Sequence, residues 1–246
     1  IKAYFIYFSF YNYSKYIVSC MDSVDNQTYP HYKCIIVDDA STDNSVEIIQ
    51  EYIKHHESSR AFHLIKMSVN GGQMAAFKKG LEAAEGIFVV YVDADDLLMP
   101  DFIATHVNHH LTFMSAVAFT SSNQYQIDEN DQILYCNHPD HSAKGKLTYI
   151  NSNHGIYGNW VWATTSSMMF RKAVLDLIMP RDTEPFRICA DAFIAKFANM
   201  LSGSLLIPTV HGCYRRHGAN NFSTNPLIGG MLPTGDMRTH PSILAT

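Results

Sequence analysis

The sequence predicts an α/β fold: a mostly parallel, doubly wound sheet with helices on both faces, followed by a mixed second half. Three observations carry the prediction. Over the first hundred residues, short apolar β-type runs alternate with segments whose apolar residues repeat at helical spacing. Such alternation leaves a crossover helix between successive strands and produces a parallel sheet covered on both faces. Two apolar runs end abruptly in acids, Val37 in Asp38-Asp39 and Val92 in Asp93-Ala94-Asp95-Asp96, and such sheets bind ligands beyond the carboxyl ends of their strands. At 246 residues with 47% hydrophobic content, the chain can bury a substantial core as one large domain or two tightly joined halves.

Taken in order, residues 2–9 read as a strand, Ser14 to about Asp25 as a helix, Lys33–Val37 as a strand and Ser45–His55 as a helix. Phe62–Lys66 follows as a strand, Asn70–Glu85 as a helix and Ile87–Val92 as the strand that runs into the acids. Thr42, Asp43 or Ser45 is expected to cap the second helix. Beyond the acids the texture changes. A helix from about Pro100 to Thr112 precedes aromatic strands near Ala116–Tyr125 and Gln132–Tyr135, then polar loops rich in His and Asn around 137–160. Two more helices, Arg171–Ile178 and Ala190–Leu201, and a strand at Ser204–Val210 complete the pattern, and the tail from Asn220 is rich in Gly, Pro and Thr.

The formal charge of −5, the pI near 6.2 and the lack of any basic block argue against a protein that tracks nucleic-acid phosphates. Five cysteines without a Cys-x-x-Cys pair fit reduced thiols in a reducing compartment rather than a disulfide framework or a zinc site. No apolar stretch approaches a membrane span and no signal region opens the chain, so the piece is expected to be soluble. It begins with Ile1, which fits a piece excised from something longer.

The junction at residues 93–96 carries the most chemistry. Strand alternation sends Asp93 and Asp95 to one side, where like charges repel unless a cation or a set of donors lies between them. Mg²⁺ commonly takes one or two carboxylates plus phosphates, so the junction suggests a metal–diphosphate site. Asp96, ahead of Leu97-Leu98-Met99-Pro100, is expected to cap the next helix. In the earlier acidic loop, Asp39 is read as a partner for a nucleobase or ribose and Asp38 as structural. Trp160 and Trp162 offer faces for sugar rings, although alternating Trp equally fits a strand with one ring in the core. Gly71-Gly72 permits a tight turn that brings backbone toward a ligand, Lys78 and Lys79 are assigned to a solvated face, and the histidines outside the Arg-Arg-His run, including His55-His56 and His109-His110, are treated as surface residues.

Tyr11-Asn12-Tyr13-Ser14-Lys15-Tyr16-Ile17, Ser23 to Pro30 and Ile35-Ile36-Val37-Asp38-Asp39-Ala40-Ser41-Thr42-Asp43, followed by Asn70-Gly71-Gly72-Gln73, Gly80 to Gly86 and Tyr91-Val92-Asp93-Ala94-Asp95-Asp96, form an ordered series. It resembles the family 2 glycosyltransferases, densely over residues 5–105 and in patches to residue 223. The resemblance implies a Rossmann-like GT-A fold, a nucleotide-sugar donor, Mn²⁺ or Mg²⁺, and inversion at the anomeric carbon. Residues 1–98 would form the donor-binding half, 99–223 the acceptor-binding and catalytic half of the same domain, and 224–246 a loop or tail. By position, Tyr11, Asn12, Asp39, Gly72 and Asp93 would contact the donor and Asp95 would coordinate the metal.

Further along, Arg187-Ile188-Cys189-Ala190-Asp191 looks like the family's acidic motif at the start of a late helix and makes Asp191 the expected base; many members carry Glu-Asp where this chain has Ala190-Asp191. Tyr214-Arg215-Arg216-His217 resembles the family's Tyr-Arg-x-His segment, so His217 would complete the metal site and Arg215 or Arg216 would face donor phosphates. Trp160 and Trp162 fall on the acceptor side. The chain departs from the family at Ser9-Phe10, where Pro-Thr or Pro-Ala is usual, and at Phe77, where many members carry Arg.

The implied reaction is transfer of a sugar, from a UDP-sugar by preference, to a glycan or lipid-linked hydroxyl in bacterial polysaccharide assembly. Nucleic acid is not an expected partner, and the setting implied is cytoplasmic, at the inner face of a membrane approached through the acceptor. Rival readings are a nucleotidyltransferase, whose Gly-rich basic loop is replaced by Tyr11-Asn12-Tyr13; a phospho-receiver module, which leaves half of the chain unexplained; and a nucleotide-sugar-binding relative without catalysis.

Overall fold

A computed structural model describes residues 4–55, 62–217 and 220; the expected tail at 224–246, and the end of the family-like segment at 221–223, lie outside the described residues. The first half runs β1 (Tyr4–Phe10), α1 (Ile17–Asp25), β2 (Tyr32–Asp38), α2 (Ser45–His55), β3 (Phe62–Lys66), α3 (Gln73–Ala83) and β4 (Phe88–Asp93). The second runs β5 (Leu97–Leu98), α4 (Phe102–Thr112), β6 (Phe119–Ile127), β7 (Ile133–Tyr135), β8 (Thr148–Ile150), α5 (His154–Tyr157), β9 (Met168–Arg171), α6 (Lys172–Ile178), α7 (Ala190–Ser202) and β10 (Ser204–Arg215), with 3-10 turns at Thr165–Ser167 and Glu184–Phe186.

Among the described residues all ten strands join one sheet in the order β3-β2-β1-β4-β9-β6-β10-β5, with β7 beside β6 and β8 beside β10. The first four are parallel, as alternation with helices requires. The expectation of a mostly parallel sheet is corrected beyond them. β9 runs antiparallel to both β4 and β6, β10 is parallel to β6, and β5, β7 and β8 attach antiparallel. β9 is only four residues long, too short to leave a periodic signal. β10 extends well past the expected Val210, and its register against β6 slips around Pro208, which has no N–H to give the ladder.

Each face of the sheet carries a core. On β4, Val89 and Tyr91 point to one side with Met74, Phe77 and Leu81 of α3 and Ile194, Ala195 and Ala198 of α7. Phe88, Val90 and Val92 point to the other with α1, α2 and α4, as strand alternation dictates. In α1 the buried residues Ile17, Cys20, Met21 and Val24 stand at helical spacing, and burial of each large aliphatic side chain contributes about 1.5–3 kcal/mol. Phe77, where the family often carries Arg, stacks on Tyr91 with ring centroids 4.0 Å apart and belongs to the core.

Two expectations fail here. Asp96 caps no helix: β5 intervenes, α4 starts at Phe102 after Asp101, and Asp96 is completely buried. The histidines are not uniformly at the surface either, since His106, His110, His138, His141 and His211 are all buried. His106 pairs with Thr120 Oγ1 at 2.7 Å, His110 Nε2–H donates to the Met169 carbonyl at 3.0 Å and His141 Nε2–H to that of Ser121 at 3.1 Å. A helical (i, i+4) pair placed His106 and His110 on the inner face of α4, and the small polar residues of β6 left room for them.

Burial pushes His110 and His138 down to about 3. The unfolded chain takes up these protons near pH 6.5, whereas the folded chain excludes them until about pH 3, so stability is highest above 6.5 and falls as the pH drops through that window. Each residue is expected to add a slope of about 1.4 kcal/mol per pH unit in its steep region. Thermal denaturation between pH 7 and 4.5 should show this loss, and His110→Gln should flatten it; parallel curves for the variant and the parent would refute the origin assigned here.

Candidate active site

The acids gather at the carboxyl edge of β1, β2 and β4. In the β2 loop, Asp39 accepts the Gly71 and Gly72 N–H groups through its two carboxylate oxygens, at 2.7 and 2.8 Å. Burial raises its pKa, while these two donors and Arg187 pull it back. Asn12, in the left-handed region at φ 61° that Asn tolerates, ties the first loop to the second. Its Oδ1 accepts the Thr42 and Asp43 N–H groups at 2.8 and 3.2 Å. Asp43 in turn accepts the Ser45 N–H at the start of α2. Tyr11 beside it is exposed.

α3 begins only after Gly72, later than expected, because the Gly72 φ of 80° is outside helical geometry. The close approach expected of it is made to protein: a Cβ here would stand 2.7 Å from Arg187 Cα and 2.8 Å from its carbonyl oxygen. Arg187, to which the sequence reading gave no role, donates from Nη2 to Asn70 Oδ1 at 2.7 Å.

Asp93 ends β4 and its carboxyl is pushed up to about 8 by burial and by the charges of Asp95 and Asp191, against stabilising interactions from Thr165 and Gln73. Asp96 lies deeper, with its carboxyl also held well above the usual range by burial and the two neighbouring acids, and its Oδ1 accepts the Arg215 N–H at 2.9 Å. Asp95 Oδ2 meets His217 Nε2 at 2.8 Å. The His217 ring stacks on Tyr16 at 5.0 Å, stands edge-on to Tyr13 at 6.4 Å, and its backbone N–H donates to Asn220 Oδ1 at 2.6 Å. Asp191 sits in the first turn of α7. Burial raises its carboxyl, opposed by the Ala192 N–H and by Thr165, the same hydroxyl that serves Asp93.

One carboxylate oxygen and one imidazole nitrogen form a donor set suited to Mn²⁺ or Mg²⁺. Among the described residues no group of three or more His, Cys, Asp or Glu side chains could enclose an ion. Asp95 and His217, paired with each other at 2.8 Å, are too few to hold an ion alone; a metal here would have to open that pair and take its remaining ligands from phosphate and water.

Three further assignments change. Arg215 is fully buried and its guanidinium is used internally: Nε donates to the Asp95 carbonyl at 2.7 Å, Nη1 to that of Asp128 at 3.0 Å, and Nη2 pairs with Asp131 at 2.6 Å. Arg216 is buried too, with Nη1 donating to Gln126 Oε1 at 2.7 Å. Neither presents a free face to a donor phosphate. Trp162 is a core residue whose indole N–H reaches Ser204 Oγ at 2.8 Å, which removes it as a sugar platform. Trp160 packs edge-on against it at 5.1 Å and stays half-buried. Sequence reasoning missed Gln73, Thr165, Tyr16 and Arg187; Gln73 and Arg187 stood inside quoted motifs, whereas Thr165 carried no signal beyond its polar run.

The doubly wound half with an acidic edge, joined to a mixed half that brings Asp191 beside it, defines a GT-A glycosyltransferase fold. Two solved structures share it: TarS of S. aureus in complex with UDP-GlcNAc (TM-score 0.68, 17% identity, 91% of this chain and 61% of that one) and the mannosyltransferase PcManGT from Pyrobaculum calidifontis in complex with GDP-Man and Mn²⁺ (TM-score 0.66, 21% identity, 86% and 56%). The chain belongs to glycosyl transferase family 2, whose sequence pattern matches residues 6–178. An uncharacterized glycosyltransferase of Nostoc sp. is 33% identical over 216 residues, 86% of this chain. The chain spans 64% of that relative's length. No helix among the described residues is long and apolar enough to cross a membrane.

Arg215→Met removes the donors to the buried Asp95 carbonyl and the half-buried Asp128 carbonyl, and the buried one left unsatisfied costs about 1–3 kcal/mol. The expected result is a clear fall in melting temperature. Unchanged stability together with weakened nucleotide binding would restore the phosphate-contact assignment.

Proposed function

We propose that this chain is the catalytic part of an inverting, divalent-metal-dependent glycosyltransferase. It moves a sugar from a nucleotide-sugar donor, a UDP-sugar by preference, to a hydroxyl of a glycan or lipid-linked acceptor in polysaccharide or glycoconjugate assembly. The observation that carries the reading is the convergence of Asp191, Asp93 and the Asp95–His217 pair on one sheet edge, although they come from α7, β4 and the segment after β10.

Asp191 accepts the proton of the acceptor hydroxyl as its oxygen bonds to the anomeric carbon. The bond from that carbon to the donor phosphate oxygen breaks, and its electron pair leaves with the nucleoside diphosphate. Attack from the face opposite the leaving group inverts the centre. A carboxyl whose pKa is raised by burial is a better proton acceptor than an exposed aspartate. Asp95 and His217 would hold Mn²⁺ or Mg²⁺ on the diphosphate, where a dication stabilises the developing charge. Asp93 and Asp39 face the nucleoside, Asp39 with one lone-pair site left on each oxygen after serving Gly71 and Gly72. The exposed Tyr11 ring extends that side, and the half-buried Trp160 lies toward the acceptor.

Removing a general base costs about 10²–10⁴ in rate. Asp191→Asn is expected to lose transfer to that extent while UDP with Mn²⁺ still raises the melting temperature, a stabilisation that follows from binding to the folded state alone. Normal transfer by Asp191→Asn would remove the base assignment. Failure of UDP and GDP to stabilise the folded parent with Mn²⁺ present would overturn the donor reading, and binding without transfer to any acceptor would identify a non-catalytic relative.

A further inference from the structure

The helix that carries Asp191 begins without a cap of its own. Cys189, the residue before it, is left-handed at φ 60° and makes no side-chain cap hydrogen bond. The missing acceptor comes from the other half of the chain: Gln73 Oε1 accepts the Ala190 N–H at 2.9 Å, across 117 residues of sequence. The backbone of Gln73 repeats the connection, its N–H donating to the Arg187 carbonyl at 2.9 Å. Its side-chain Nε2 points toward Asp93 Oδ1, at a long 3.5 Å. Gly72 presses against the Arg187 backbone too closely to admit a Cβ, and Arg187 reaches back to Asn70. The segment 187–190 is therefore seated on the amino end of α3, and Asp191 is the next residue along.

We infer that Gln73 is a positioning residue for the reaction. It sets where the Asp191 carboxylate stands relative to the acid edge at Asp93, acting through the first peptide of α7. This inference rests on the reading of Asp191 as the base. The physical reason is the steepness of such arrangements, because a displacement of about 1 Å at a reacting group can cost on the order of 10²-fold. An ordinary cap would affect stability by about 0.5–2 kcal/mol without singling out the chemical step.

The test uses Gln73→Met, close in volume but lacking both the acceptor and the donor, in the parent and in Asp191→Asn. Three quantities are read: amide hydrogen exchange at residues 189–193, UDP–Mn²⁺ stabilisation, and release of UDP from UDP-N-acetylglucosamine and UDP-glucose with water or added glycan as acceptor. Exchange at 189–193 should rise at least tenfold while UDP–Mn²⁺ stabilisation stays at its parental value. kcat should fall at least tenfold, with KM for the donor within twofold. In the Asp191→Asn background the same substitution should change the residual rate by less than twofold, since the place of an absent base no longer matters.

If Gln73→Met does not fold, Gln73→Glu keeps an acceptor for the Ala190 N–H, and parental exchange at 189–193 is expected of it; raised exchange there would overturn the clamp. Unchanged exchange in a folded Gln73→Met, or an equal fall in kcat in both backgrounds, would overturn the inference. An inactive Asp191→Asn beside a Gln73→Met of parental kcat overturns it alone, whereas a fully active Asp191→Asn overturns the base assignment and this inference with it.

Discussion

Like charges buried together at one sheet edge are the constraint around which this structure is organised. Asp39 and Asp96 are buried and Asp93 and Asp191 half-buried, and burial raises all four carboxyls above the usual range. The protein answers with aimed donors more than with a surrounding shell of cations. Gly71 and Gly72 supply N–H groups to Asp39, Arg215 supplies its backbone N–H to Asp96 and His217 meets Asp95, while Thr165 favours the ionised forms of Asp93 and Asp191. The guanidinium of Arg215 adds positive charge from behind while its hydrogen bonds go to carbonyls and to Asp131.

The same requirement explains why distant elements converge. A parallel sheet delivers the ends of β1, β2 and β4 to one edge, but it cannot place the start of α7 or the segment after β10 there. β9 makes that possible. By pairing antiparallel with both β4 and β6 it continues the sheet into the second half, so that β10, parallel to β6, ends near Asp95. The cluster near Thr165–Ser167 sits at the entry to β9, where the Ser166 hydroxyl accepts the Asp93 N–H at 3.0 Å.

The parallel half was legible because its signals are strong: nearly continuous apolar runs in β2 and β4, as strands buried on both faces require, and the helical spacing of Ile17, Cys20, Met21 and Val24. The acidic loops were legible because several charges in a few positions have few local uses. β8 and β9 went unread because strands of three and four residues carry no period. Arg215 and Arg216 were misread for a different reason. Both are cations in a family-like run, but where a side chain goes depends on which carbonyls and carboxylates the fold has already buried nearby, and Asp95, Asp128 and Asp131 are distant in sequence. The histidines show the same limit, since their burial depends on the small polar faces of β6 and not on their own neighbours.

The continuity of the ladder through β9 has a mechanical consequence. Two lobes joined by a covalent linker can open and shut about it, whereas here the junction is the hydrogen-bonded register Val89–Phe170 and Phe119–Phe170, with Phe170 shared by both sides. Rotation of one half against the other would have to tear main-chain pairs out of a buried core. The two halves are thereby held as one framework, and a hinge between them is not available for closing on an incoming molecule.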